Sequence, residues 1–210
     1  MELLERIQAI RASEKRFYQK VRDLFATAAD YDGTAETARR FFQTIQNKML
    51  WAVTSHTAAE LIAARADPAK ANMGLTGWSG DRVRKADIVT AKNYLAEAEV
   101  QELNRLVSAF LDLAADRAQR RQQTTMAEWM RFVDDYLKFT DRPVLAHAGS
   151  VSHDRMQPTV SQRYQAFDDA RRENERHLAE QEYEQDTEAE LKRIETDLRS
   201  QAPSRRDGVA

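Results

Sequence analysis

The sequence reads as an all-α protein, an irregular multi-helix bundle with a long, highly charged C-terminal helix. Apolar residues recur at three- and four-residue steps through most of the chain, so they gather on single helix faces. Capping signals stand where those periodic stretches begin. No stretch alternates apolar and polar residues at period two, so no sheet is expected.

The chain has 210 residues, enough for one domain with an appendage. A first helix is expected over 2–28. Its apolar face carries Leu3, Leu4, Ile7, Ile10, Phe17, Val21, Leu24, Phe25 and Ala28, and Arg6, Arg11, Lys15, Arg16, Lys20 and Arg22 make it basic. Tyr31-Asp32-Gly33 breaks it, and a second helix follows over about 35–53 with Phe41, Phe42, Ile45, Met49 and Val53 on its apolar side. A bend is expected at Thr54-Ser55-His56. Thr57-Ala58-Ala59-Glu60 fits a capping box and opens a short helix ending near Ala66.

Residues 67–86 read as an ordered loop. Gly74, Gly77 and Gly80 fall within it, and Trp78 is expected to pin it to the core. Asp87 is expected to cap a helix through Tyr94. A long helix should run from Glu97 to about Arg121, with Val100, Leu103, Leu106, Val107, Phe110, Leu111 and Ala114 on one stripe. Thr125-Met126-Ala127-Glu128 is a second capping box, opening a helix to about Phe139.

The stretch from Pro143 to Pro158 reads as a second irregular segment, with His147 and His153 in it. Beyond it the charge density rises. From Arg171 to Arg199, 16 of 29 residues are charged, ten acidic and six basic, so this helix should bury little. The expected organisation is a helical domain over 1–155, a charged helical extension over 156–200, and a disordered tail over 201–210.

Composition excludes several classes of function. Cysteine is absent, so there are no disulfides, thiolate metal sites or thiol nucleophiles. The formal net charge of −2 argues against non-specific coating of nucleic acid, which needs clustered Lys and Arg. No apolar run approaches the roughly 20 residues of a membrane helix. The N-terminus is amphipathic rather than signal-like, so the cytoplasm is the expected compartment.

Three candidate sites remain. His56 and Glu60 are four residues apart and would share a helix face, with His147 and His153 as further possible metal ligands. The plainer reading makes Glu60 the capping-box partner and the histidines surface groups, and no metal or cofactor is expected. Asn72 to Trp78, followed by Arg82 and Arg84, resembles a loop that binds phosphate through backbone N–H groups and guanidinium. Lys92 and Asn93 follow on the next element. The glycine spacing fits neither a phosphate loop nor a dinucleotide fingerprint, and a structural loop is the plainer reading. The 171–199 helix is the third candidate, as a surface for oligomerisation or a partner. No nucleophile elbow occurs. The neighbouring pairs Asp134-Asp135 and Asp168-Asp169 diverge on a helix and make poor catalytic dyads.

Several segments together resemble the RhuM family of bacterial virulence-associated proteins. They are Ile10-Arg11-Ala12-Ser13-Glu14-Lys15-Arg16-Phe17-Tyr18-Gln19-Lys20-Val21, Phe41-Phe42 with Gln46-Asn47-Lys48-Met49, and His56-Thr57-Ala58-Ala59-Glu60-Leu61. Asn72-Met73-Gly74-Leu75-Thr76 with Trp78, Ala91-Lys92-Asn93-Tyr94-Leu95 and Glu102-Leu103-Asn104-Arg105-Leu106-Val107 continue the series. His147-Ala148-Gly149 with Val151-Ser152-His153 ends it, at about residue 155. The resemblance implies a virulence-associated protein of uncharacterised activity, tied to pathogenicity islands and mobile genetic elements. It also implies that members carry an N-terminal module like a DNA-binding, phage-antirepressor-type domain, with Met1 standing at the helix that would follow it.

The leading expectation is a non-enzymatic interaction domain that meets a protein partner, or a second copy, through the C-terminal helix. The alternative is an enzyme acting on a phosphate-containing substrate such as a nucleotide or nucleic acid. Its catalytic candidates are His56, Glu60, Lys92 and His147, and its binding candidates are Asn72, Trp78, Arg82, Arg84 and Asn93. DNA binding by the basic N-terminal helix ranks last. The distinguishing feature is whether segments 67–86 and 143–158 pack together into one pocket or stand apart on a scaffold.

Overall fold

A computed structural model describes residues 35–120 and 124–201, together with Gln19, Val21, Asp23, Ala26 and 28–31. Most of the helix expected over 2–28, and the tail after Gln201, lie outside the described residues. Five α-helices stand among those described: α1 (Ala35–Thr54), α2 (Ala58–Arg65), α3 (Glu97–Gln119), α4 (Met126–Phe139) and α5 (His153–Gln201). Two 3-10 turns, Ala71–Gly74 and Ala91–Tyr94, lie between α2 and α3. The described residues contain no strand, only an isolated bridge between Ala28 and Thr124. The all-α reading therefore holds.

The chain divides into two compact units, 1–164 and 165–210. In the first, the apolar faces of α1, α3 and α4 meet. Ile45, Met49, Phe110, Ala114, Trp129, Val133 and Leu137 are each 1% exposed or less. The Phe110 ring centroid lies 5.6 Å from that of Tyr136, and Trp129 meets Phe132 edge-on at 5.7 Å. The Tyr136 hydroxyl donates to the Leu106 carbonyl at 2.8 Å, so this core aromatic buries no orphan oxygen. Burying each large apolar side chain contributes about 1.5–3 kcal/mol.

The helix starts follow the local signals. At α2, Thr57 Oγ1 accepts from the Glu60 amide, while Glu60 reaches back to the Thr57 amide at 2.8 Å. Thr125 and Glu128 repeat this at α4, with the Thr125 amide donating to Glu128 at 2.7 Å. The bend before α2 falls at Ser55, whose φ of +56° turns the chain out of α1.

Two expectations need correction. Asp87 does not cap an α-helix through Tyr94. Its carboxylate turns back to accept from the Arg84 amide at 2.9 Å, and only a 3-10 turn forms, from Ala91. The irregular segment also ends before Pro158. Ser152 Oγ accepts from the Arg155 amide at 3.3 Å and so caps α5, which starts at His153 and carries Pro158 inside it. Pro158 is the sixth residue of α5 and forgoes the backbone bond to the Asp154 carbonyl.

The second unit is the rest of α5. From Arg172 to Asp197 every side chain is exposed. Among the described residues of the unit only Asp168 is buried, held by Arg171 at 2.6 Å and Arg172 at 2.8 Å. No helix among the described residues is long and apolar enough to cross a membrane.

Candidate functional site

The densest polar chemistry gathers around α2, a helix of only eight residues. Glu60 stands at its first turn and is 9% exposed. Its Oε2 accepts from the amide and the hydroxyl of Thr57, both at 2.8 Å. Its Oε1 accepts from the amide and the hydroxyl of Ser150, both at 2.6 Å. A carboxylate offers about four acceptor positions, and all four are taken. Burial pushes the Glu60 carboxyl up, but the hydrogen bonds from Ser150 and Thr57 outweigh it and hold the pKa at about 2.

The loop 143–152 is seated on this helix end. A Cβ at Gly149, whose φ is +90°, would lie 2.9 Å from Thr57 Cγ2, so only glycine lets the loop approach so closely. Lys48, 8% exposed on α1, donates to Asp134 at 2.6 Å and to the Leu145 carbonyl at 3.0 Å, tying α1, α4 and the loop together. Asn47 Oδ1 accepts from the Ala58 amide at 3.0 Å, satisfying a further donor of the helix start. His147 sets its ring edge-on to Trp51, with centroids 5.1 Å apart. Its Nδ1 accepts from the Gly149 amide at 3.0 Å, which leaves the proton on Nε2 in the neutral ring.

The loop 67–86 is seated on the other end of α2. Asn72, Met73 and Gly74 are all left-handed, with φ of +51°, +58° and +79°. Met73 is wholly buried, and burial of its side chain holds a backbone conformation that costs a non-glycine residue about 1 kcal/mol or more. A Cβ at Gly74 would fall 2.4 Å from the Arg65 carbonyl oxygen. The Arg65 guanidinium grips Glu99 with two bonds of 2.6 Å and donates to the Tyr94 carbonyl at 2.7 Å. Thr76 donates its hydroxyl to the Leu95 carbonyl at 2.6 Å, and its amide to Asn93 at 2.7 Å. Arg163 donates to the carbonyls of Ala63 and Ala66, at 2.6 and 2.8 Å, and closes the C-terminal end of α2.

The two irregular segments thus seat at opposite ends of one helix, about 12 Å apart at 1.5 Å per residue. His56 is half-buried, and its Nδ1 donates to the Thr54 carbonyl at 2.6 Å. Glu60 joins Thr57 to Ser150, and His147 stays on the loop with Trp51. Asn93 is bound into the first loop, its Nδ2 donating to the Asp87 carbonyl at 2.9 Å. Lys92 stands half-buried beside it. Trp78 is partly buried, with its indole nitrogen shielded and unbonded among the described residues. Asn72, Arg82 and Arg84 are exposed. Among the described residues no three His, Asp or Glu side chains lie where they could hold a metal ion, so His56, Glu60, His147 and His153 form no such group.

Sequence reading alone passed over Lys48, Arg65, Ser150 and Arg163. Lys48 had a signal, because it falls on the apolar face of α1 between Ile45 and Met49. Ser150 had none, since its partner stands 90 residues away.

These features define an all-helical protein in which a short central helix seats two ordered loops through a satisfied polar network. The chain belongs to the virulence protein RhuM family, whose sequence model matches residues 1–176. That match runs past the end of the resemblance near residue 155 and into the second unit. No curated protein and no solved structure matches the chain.

Proposed function

We propose that this protein is a non-enzymatic interaction protein of a mobile element or pathogenicity island, acting in the cytoplasm through a protein partner that α5 engages. One observation carries the reading. Leu178, Tyr183, Leu191 and Ile194 are between 49% and 74% exposed along a helix unit otherwise dominated by charge. Large apolar side chains held in water on such a helix favour a surface that is covered in use. The polar groups with catalytic potential support the same reading. An enzyme would ask Glu60 to act as a base or a ligand, and its acceptor positions are already filled by Thr57 and Ser150.

A photo-crosslinking residue placed at position 183 of the full chain, in its native cell, tests this. The expected result is a discrete crosslinked species that is missing when the same residue replaces Arg120, an exposed position just after α3. No crosslinked species, with a monomeric mass at micromolar concentration, would sink the proposal.

A further inference from the structure

The apolar residues at the C-terminal end of α5 are ordered. Tyr183, Leu191 and Ile194, with Thr187 between the first two, follow one another at steps of four, four and three residues, and the Thr187 hydroxyl is turned back onto the Tyr183 carbonyl. At about 100° per residue they fall within an arc of roughly 80°, and they run for about 16 Å along the helix. Tyr183 is 74% exposed, Leu191 57% and Ile194 49%. The same helical geometry puts Glu184 and Glu188 along one edge of this stripe and Glu190 and Asp197 along the other.

The charge around the stripe selects its occupant. From Glu180 to Asp197 there are eight acidic and two basic residues, a net charge of −6. Lys192 and Arg193, the two basic residues, lie on the far side of the helix, and Lys192 is paired with Glu188 at 2.7 Å. Two copies pairing through this face would set one acidic stretch against another in either direction, and like charges at helix edges oppose association. Nucleic acid and anionic lipid are repelled for the same reason. An amphipathic helix with Lys and Arg beside its own apolar stripe meets both features together, by burying apolar surface and pairing charge at both edges.

We infer that the Tyr183–Ile194 stripe of α5 is the docking face for a basic amphipathic helix of a partner protein. This rests on the interaction reading above and names the chemistry of the partner. Apolar contact holds the complex, and the acidic edges set its orientation and exclude self-pairing.

The test uses the full chain and two labelled helical peptides of about 18 residues, one of Leu and Lys and one of Leu and Glu in the same pattern. Fluorescence anisotropy reads binding at low and moderate salt. The Leu/Lys peptide is expected to bind saturably and the Leu/Glu peptide not at all. Replacing Leu191 and Ile194 together by Ser should weaken binding at least about tenfold, since two large apolar contacts are lost. Glu184→Gln with Glu188→Gln should weaken it and flatten its salt dependence. All four positions are exposed, so circular dichroism should show helix content unchanged.

Binding that ignores the double Ser variant would be bulk charge attraction and would overturn the inference. So would equal binding of the Leu/Glu peptide, or no binding by either. Concentration-dependent sedimentation abolished by Ile194→Ser would assign the face to a second copy. That result overturns this inference and leaves the interaction reading standing. The interaction reading falls only when crosslinking at position 183 also yields nothing.

Discussion

Gly74 and Gly149 do the same work at the two ends of α2. Each lets a loop backbone come closer than any Cβ allows, and each has a positive φ. Gly80 also has a positive φ, but its Cβ would meet nothing nearer than the flexible Arg84 side chain at 3.4 Å. The three glycines therefore differ in consequence. Gly74→Ala must displace the Arg65 carbonyl and should cost about 3 kcal/mol, a Tm drop of roughly 6–12 °C. Gly80→Ala carries only the left-handed backbone penalty of about 1 kcal/mol. Thermal unfolding of the two variants side by side checks the difference; equal losses would mean that Gly74 is needed only for its φ.

Glu60 makes a second prediction, in pH. Its folded pKa of about 2 lies below the ordinary carboxylate value of 4.5. The stability it contributes is therefore complete above pH 4.5 and is lost as pH falls from there through about 2. At pH 7, Glu60→Gln should cost roughly 2–3 kcal/mol. The gap between the native chain and this variant should close steadily between pH 5 and pH 2. A gap that stays constant with pH would mean that the carboxylate charge is not what holds Ser150.

Among the helices, α2 depends most on its surroundings. A helix of eight residues is too short to be stable alone in water, where about 12–15 are marginal. Its ends are closed from outside: Asn47 and Ser150 serve the first turn, and Arg163 serves the last carbonyls. Arg65 anchors the same helix to Glu99 and to the Tyr94 carbonyl. Removing that guanidinium strands a partly buried carboxylate and a carbonyl. Arg65→Met should therefore cost about 2–3 kcal/mol in urea unfolding. Arg120→Met removes an exposed pair with Asp116, whose side chains are 70% and 56% exposed, and should change stability by less than about 0.5 kcal/mol. Comparable losses would refute the central place given to α2.

The elements were largely legible in the sequence because their causes are local. Thr57 with Glu60, and Thr125 with Glu128, are three residues apart, and the apolar stripes of α1, α3 and α4 repeat within four. The failures were local too. Asp87 and Ser152 are both cap residues by type, but Asp87 opens no α-helix while Ser152 caps one. A short polar side chain can accept from amides on either side, and the fold around it decides which.

The molecule has a unit with a dense apolar core, 1–164, and a unit, 165–210, whose described residues are almost all exposed or partly exposed. The side chains from Arg172 to Asp197 are all exposed, so little shields the helical amides there from local opening. These amides should exchange with deuterium far faster than those of α3 and α4 in the isolated chain. Adding a partner that covers the stripe should slow exchange in that segment first. Equal protection of the two units in the isolated chain would mean that α5 is already covered.

The sequence by itself determined the all-α character, the main helices, both capping boxes, the charged helix and the family resemblance. Each of these depends on residues within a turn of one another, or on motifs in order along the chain. Tertiary structure decided the placement of the candidate site. Glu60 meets Ser150 across 90 residues and Lys48 meets Asp134 across 86, pairings that no periodicity announces. It also decided that the two irregular segments seat at opposite ends of α2, because backbone approaches at Gly74 and Gly149 exist only once distant parts of the chain have met.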